Sequence, residues 1–183
     1  VRNRGTIGGD VAHGDPGNDH PAVMLALDAT LVLHGPDGER QQSANGFFLG
    51  TYWNDLQEQE ILVELRVPVI KKGVGHGYSK LKRKTGDYAV AGSPVVIELD
   101  GDVCRDIRIA LTNVAPMAIR AEAAENILRG KVIDDALIEQ AAAEVLAVCD
   151  PAEDLRGDVL YKSHMGAEMA RRSIRAALQQ ARG

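Results

Sequence analysis

At 183 residues and 45% apolar content, the chain can bury one generous core or two small ones. A formal net charge of -5, with acids and bases interleaved, offers no single-sign field to nucleic acid or an anionic membrane. The longest apolar runs, Ala22–Leu27 and Val95–Ile97, are far too short to span a bilayer, no apolar secretory segment opens the chain, and a cytoplasmic address is expected.

In chain order, the stretch from Arg2 to Ala12 crowds glycines and polar residues together, with Gly14, Asp15, Pro16 and Asp19 close behind. Gly8 and Gly9 can take positive φ and lack a Cβ, so successive N–H groups from Thr6, Ile7, Gly8, Gly9 and Asp10 can converge on an anion such as a diphosphate. The Thr6 hydroxyl would add a donor, and Arg2 or Arg4 would add charge unless solvated or paired with Asp15. A tight turn using its glycines only for backbone freedom is the alternative. Asp19-His20-Pro21 then reads as a helix start with Asp19 as N-cap, leading into a buried apolar helix from Ala22 to Asp28. Thr30–His34 and Glu39–Gln42 flank Gly35-Pro36-Asp37-Gly38, a hairpin signature. Phe47–Trp53 gathers the aromatics, and Glu60–Val67 reads as a strand ended by Pro68.

Lys71–Gly77 is glycine-rich and charged, and it predicts the boundary between a first unit, residues 1–72, and a second, residues 73–183. Tyr78–Arg83, Tyr88–Leu99 and Val103–Thr112 predict three strands, the last two joined by Asp100-Gly101-Asp102 as an antiparallel meander. Ala118–Leu128, Asp134–Val148 and Ser163–Ala181 predict three helices, each with one apolar stripe. The expected class is α+β, a three-stranded antiparallel sheet packed with three helices following the first unit. Cys104 and Cys149 stand apart, so iron–sulfur and structural zinc sites are not expected here, and both read as small buried hydrophobes. His13 and His20 lack metal-site spacing and read as solvated or capping residues. No triad or carboxylate pair marks a catalytic centre, and no catalytic residue is assigned.

Ile7–Ala12 with Asp15-Pro16 and Asp19-His20-Pro21, Glu60-Ile61-Leu62, Tyr78–Ala89 and Arg108–Pro116 together resemble the FAD-binding medium subunit of the molybdenum hydroxylases, of the aerobic carbon monoxide dehydrogenase type. The resemblance runs from Arg2 to about Arg175. It implies the C-terminal part of a PCMH-type FAD-binding domain followed by that family's C-terminal domain. Family members begin with a further segment of about a hundred residues bearing a second phosphate loop, which is expected as a separate, cleaved or unrecorded piece.

The resemblance also implies roles. Thr6–Asp10 would form part of the diphosphate cradle. Asp19 would bind the flavin's polyol, a role compatible with capping its helix. Leu62 would touch the ring or serve simply as a core strand residue. Lys80 would stand near the ring, where a cation favours the negative charge of the reduced flavin, or would be an exposed strand lysine in the run Lys80, Lys82, Arg83, Lys84. Tyr88 would lie against the isoalloxazine or be a buried strand tyrosine, with Asp87 fixing the Gly86 turn. The helical tail, with Met165 and Met169, carries no cofactor role. The implied function is electron transfer: a large subunit holds the molybdenum cofactor, a small subunit holds two-iron clusters, and FAD on this chain passes electrons to an external acceptor such as a quinone. A stand-alone flavin oxidoreductase and a non-enzymatic assembly fragment are the rivals. A fragment would expose apolar surface on the Ala22–Asp28 helix and the Glu60–Val67 strand.

Overall fold

The computed structural model describes residues 3–183. Two short helices come first, α1 (Ile7–His13) and α2 (Asp19–Ala26). A three-stranded antiparallel sheet follows in the order β2-β1-β5, from β1 (Thr30–Gly35), β2 (Gly38–Ser43) and β5 (Ile61–Arg66). The expected hairpin is present: Gly35 pairs with Gly38 across Pro36-Asp37, and Gly38 takes φ 107°, which a glycine allows. Between β2 and β5 the aromatic segment forms a small ribbon, β3 (Phe48–Gly50) with β4 (Trp53–Asn54). Phe47 is fully buried there, whereas Tyr52 and Trp53 face solvent.

The second sheet is antiparallel and runs β6-β7-β8-β9, from β6 (Val74–Leu81), β7 (Ala91–Asp100), β8 (Val103–Leu111) and β9 (Ile119–Arg120). The predicted meander is its body, and the two-residue β9 adds a fourth strand that so short a segment does not announce in sequence. Helices α3 (Glu122–Leu128), α4 (Asp135–Val148) and α5 (Val159–Ala181) complete the chain. Asp134 and Asp158 cap α4 and α5, accepting from Leu137 N at 2.8 Å and Tyr161 N at 2.7 Å. Helix α5 therefore begins four residues before Ser163.

Each face of the second sheet carries a core. On one, Ile97, Ile107, Ile109 and Leu111 meet Leu128, Ile138, Val145 and Ile174 of the three helices. On the other, Val96 and Ala110 join Met24 and Leu25 of α2 with Leu31, Leu33 and Phe47. Strand β7 is thus covered on both sides, and its first seven residues, Ala91–Ile97, are all buried. Burial on two faces leaves its trace in Val95-Val96-Ile97, apolar at three successive positions instead of alternating, while Ser93 is buried with its hydroxyl donating to Ala110 O at 2.9 Å. Arg108 Nε donates to Ala26 O at 2.8 Å and ties the end of α2 to this sheet.

The glycine-rich stretch expected at the boundary, Lys71–Gly77, runs into β6. Val74–Gly77 is strand, and its glycines are there for contact: a Cβ on Gly75 would stand 1.9 Å from Ala177 O, and one on Gly77 2.5 Å from Ser173 O. Helix α5 lies directly on that backbone, where only glycine fits. The apolar helix expected over Ala22–Asp28 is α2, which ends at Ala26 and buries Ala22, Met24, Leu25 and Ala26, whereas Asp28 lies beyond it at φ 53° and is exposed; Ile61 and Val63 on the edge strand β5 are exposed as well. Cys104 is fully buried and Cys149 partly so; neither is in a disulfide, and burial pushes both thiols up to about 11.

Candidate functional site

The glycine-rich opening is a helix start. Thr6, at φ -115° and ψ 156°, is the N-cap of α1; its hydroxyl oxygen accepts from Gly9 N at 3.0 Å, and its carbonyl accepts from Asp10 N at 3.1 Å. Two expectations are thereby corrected. Gly8 and Gly9 are right-handed helical residues, because Thr6 offers a cap that a positive-φ loop would forfeit, and the N–H groups of Gly9 and Asp10 are already used. Among the described residues no acceptor meets the N–H groups of Ile7 and Gly8, two of the orphan donors of any helix start. A Cβ on Gly8 would meet nothing within 4 Å, so the backbone there is open to close approach. Asp10 turns its carboxylate away to His20, whose Nδ1 lies 2.8 Å from Oδ2. Arg4 forms no ion pair among the described residues, and Arg2 lies outside them.

Asp19 is the first residue of α2 rather than its cap; Asn18 holds the cap position, with φ -74° and ψ 149°. That frees the Asp19 carboxylate for tertiary contacts. Tyr78 Oη donates to its Oδ1, and Lys80 Nζ donates to its Oδ2 at 2.8 Å. Tyr78 and Lys80 share the face of β6 opposite the glycines that receive α5, since alternate strand residues point the same way. Lys80 is therefore no solvated strand lysine: its side chain is only 18% exposed. Desolvation of the Tyr78 hydroxyl, reinforced by the bond to Asp19, holds that phenol well above the ordinary range. The Tyr78 ring lies over Gly92, where a Cβ would stand 3.2 Å from Oη and 3.4 Å from Thr112 Cβ. Thr112 is fully buried beside it, and its Oγ1 has no partner among the described residues.

Tyr88 is not a buried strand residue. It stands before β7, 47% exposed, at the end of the turn in which Gly86 takes φ 80°. Its ring edge abuts Gly17, where a Cβ would be 3.2 Å from Cδ1. Asn113, at φ 60°, clips that corner together, with its N donating to Pro16 O at 2.8 Å and its Nδ2 to Ala89 O at 2.6 Å. Asp87 does fix the turn, accepting from Tyr88 N at 2.9 Å. Leu62 packs into the second core opposite Leu33, under α1, as a core strand residue.

Sequence reasoning did not single out Tyr52, Tyr78, Thr112 or Arg156. Tyr52 takes φ 57°, a conformation that costs a non-glycine residue roughly 1–3 kcal/mol. It sits beside α1, its ring centroid 5.0 Å from that of His13, with Oη donating to Asp15 Oδ2 at 3.3 Å. Nothing local in the sequence marks these residues, because each meets partners from distant segments.

The arrangement thus offers two helix-start N–H donors over a bare glycine, a carboxylate and an ammonium side by side, and a half-exposed aromatic ring. Anion, hydroxyl and flat-ring contacts are what a flavin nucleotide requires, and the backbone at Gly8 is open to solvent. No group of three or more His, Cys, Asp or Glu capable of holding a metal occurs among the described residues.

Comparison with known proteins places the chain in a class of FAD-binding flavoprotein subunits. Residues 1–70 match the FAD binding domain in molybdopterin dehydrogenase, and residues 76–177, more than half of the chain, match the CO dehydrogenase flavoprotein C-terminal domain. The chain belongs to this flavoprotein family of oxidoreductase subunits. It is 54% identical to the carbon monoxide dehydrogenase medium chain of Hydrogenophaga pseudoflava over 97% of its length and 62% of the relative's. Identity is 41% to the medium chain of Afipia carboxidovorans, over all of this chain and 63% of that one. A solved carbon monoxide dehydrogenase from Hydrogenophaga pseudoflava, lacking the Mo-pyranopterin moiety of its molybdenum cofactor, superposes with a TM-score of 0.96 at 56% identity, covering 98% of this chain and 62% of that one. The chain therefore spans somewhat less than two thirds of the relatives it matches.

Proposed function

We propose that this chain is the FAD-binding and C-terminal part of a medium subunit that carries electrons within a molybdenum hydroxylase of the carbon monoxide dehydrogenase type. Electrons would arrive from two-iron clusters on a small subunit, supplied by a large molybdenum subunit, and leave to an external acceptor. Bound FAD would supply the reversible uptake of one or two electrons. The single observation that carries this reading is the Asp19–Lys80 pair on α2 and β6, next in sequence to His20, whose ring reaches Asp10 in the first turn of α1 at 2.8 Å.

The residues divide the work. The Ile7 and Gly8 N–H groups take the diphosphate at the positive end of α1, with Thr6 shaping the turn and Gly9 and Asp10 continuing it. Asp19, held on both oxygens by Tyr78 and Lys80, keeps its outward lone pairs for ribityl or ribose hydroxyls. Lys80 places a cation where reduction builds negative charge, and Tyr88 covers a face of the isoalloxazine. Leu62 supports α1 from beneath. We divide the chain at residues 72 and 73, the second unit beginning with the strand on which α5 lies. The exposed Ile61 and Val63 on β5, with Val67, Val69 and Ile70 after them, form a surface for the remainder of the subunit. No helix among the described residues is long and apolar enough to cross a membrane, and we place the complex in the cytoplasm.

Asp19→Ala in the complete subunit tests the reading. It strips Lys80 and Tyr78 of their partner and removes the polyol acceptor, so FAD affinity should fall at least about tenfold, in line with losing a charged hydrogen-bonding group at about 1.5–3 kcal/mol, and flavin absorbance per chain should fall with it. Full flavin content in a folded Asp19→Ala protein would contradict it.

A further inference from the structure

Arg156 lies in the segment between α4 and α5, far in sequence from every residue so far placed at the site. Its guanidinium carbon sits 5.7 Å from the centroid of the Tyr88 ring. The turn that carries it is fastened with care. Lys162, from the first turn of α5, is only 2% exposed and spends its ammonium on that turn, donating to Ala152 O at 2.7 Å and pairing with Asp154 Oδ1 at 2.9 Å. Asp154 Oδ1 also accepts from Arg156 N at 2.7 Å, and Asp154 and Gly157 bridge across the turn.

The way Arg156 uses its donors is informative. Nη2 reaches Asp87 Oδ1 at only 3.5 Å, and Nη1 reaches Asp154 Oδ2 at only 3.7 Å. Nε is buried without any partner among the described residues. An arginine placed for ion pairing would close a fork on one carboxylate, as Arg40 does on Glu60 at 2.6 and 2.7 Å. Arg156 leaves one donor unused and two loosely engaged, and its planar cation ends over an aromatic face. On the far side of the turn, Asp87 is held by Arg83 at 3.2 Å and accepts from the Tyr88 N–H. Burial works against the Asp87 carboxylate's charge, yet Arg83, that N–H and Arg156 together hold it below the ordinary carboxylate range. Tyr88 is therefore braced by Gly17 at its edge and by Arg156 at its ring.

We infer that Arg156 is a positioning residue for the flavin site: anchored through Asp154 and Lys162, it holds the half-exposed Tyr88 ring in the orientation that receives the isoalloxazine. The inference rests on the proposed stacking role of Tyr88. An aromatic on a glycine turn keeps rotamer freedom that binding must remove, and a cation over its ring removes that freedom beforehand. The C-terminal helical unit thereby acts on the cofactor site without touching the cofactor.

The test uses the complete, FAD-loaded subunit in its complex, with Arg156→Ala, Arg156→Lys and Tyr88→Ala compared by visible circular dichroism of the flavin, by FAD dissociation constant and by thermal unfolding of the FAD-free protein. Arg156→Ala should weaken FAD binding about two- to five-fold, the effect of one exposed cation–π contact, and shift the flavin dichroism toward that of Tyr88→Ala. Arg156→Lys keeps a cation and should recover part of both, with unfolding temperature unchanged. If Tyr88→Ala alters dichroism and affinity while Arg156→Ala matches the parent, the positioning role is wrong and the stacking role stands. If Tyr88→Ala itself changes neither, the stacking role fails and takes this inference with it. Should Arg156→Ala not fold, Arg156→Lys and Arg156→Gln carry the same comparison, and parental dichroism in Arg156→Gln overturns the inference.

Discussion

Glu60, just before β5, accepts from Arg40 Nε at 2.6 Å, from Arg40 Nη2 at 2.7 Å and from Gln57 N at 2.9 Å. Arg40 binds Asp55 as well, so one guanidinium joins the β hairpin to the loop that leads into β5. The Arg40 hydrogen bonds, followed by that of Gln57, bring the Glu60 carboxyl down from 4.5 to about 2. A depressed carboxyl stabilises the fold above its unfolded value and loses that contribution as pH falls through its folded value. Glu60→Gln should therefore melt below the parent at neutral pH, with the gap narrowing from about 4.5 downward and closing near 2. Melting curves across that range decide it, and a gap independent of pH would contradict the assignment. Residue identity was partly legible beforehand. Asp19, Lys80 and Tyr88 follow from family resemblance, but the pairing of Asp19 with Lys80 spans 61 residues and leaves no local trace. Tyr78 and Arg156 were not singled out for the same reason: their meaning lies in partners that only the fold supplies.

Elements were read best where periodicity is strong and worst where glycine has two meanings. The β hairpin, the meander and α4 were predicted nearly to their ends, because turn residues and apolar stripes are local signals. Gly8 and Gly9 suggest conformational freedom and Gly75 and Gly77 mark a boundary in the sequence, yet none of the four takes a positive φ. At 75 and 77 they admit the α5 backbone, and at 8 the space beside the chain is open. Packing against a distant helix and openness to a ligand look alike in sequence. Gly77→Ala separates contact from freedom. Its Cβ would stand 2.5 Å from Ser173 O and 3.2 Å from Ala177 N, which are backbone atoms that cannot rotate away. Helix α5 must lift from β6, at a cost of about 1–3 kcal/mol or more. Denaturant titration measures it, and a Gly77→Ala protein as stable as the parent would show that α5 does not sit on this strand.

At the scale of the whole molecule, the second sheet is the shared wall between two cores, and α2 carries Asp19 to the same edge at which β6 presents Tyr78 and Lys80. The α+β class was legible from three predicted strands followed by three predicted helices. The wall was not, since the three apolar residues Val95–Ile97 are too short a run to tell burial on one face from burial on two, and Gly92, Ser93 and Pro94 before them do not announce burial at all. The proposed site is then a seam: α1 and α2 precede residue 73, while β6, Tyr88 and Arg156 follow it. Cofactor binding should accordingly stabilise both units together, as any ligand of the native state does. The central claim is that bare backbone at the start of α1 receives the diphosphate, and Gly8→Leu in the complete subunit tests it most directly. A Cβ at Gly8 meets nothing within 4 Å, and leucine favours helix over glycine, so the fold should be as stable as before or slightly more so. The measurement is flavin absorbance per folded chain. The account predicts a folded, colourless Gly8→Leu protein beside a yellow parent, whereas an equally yellow variant would contradict it.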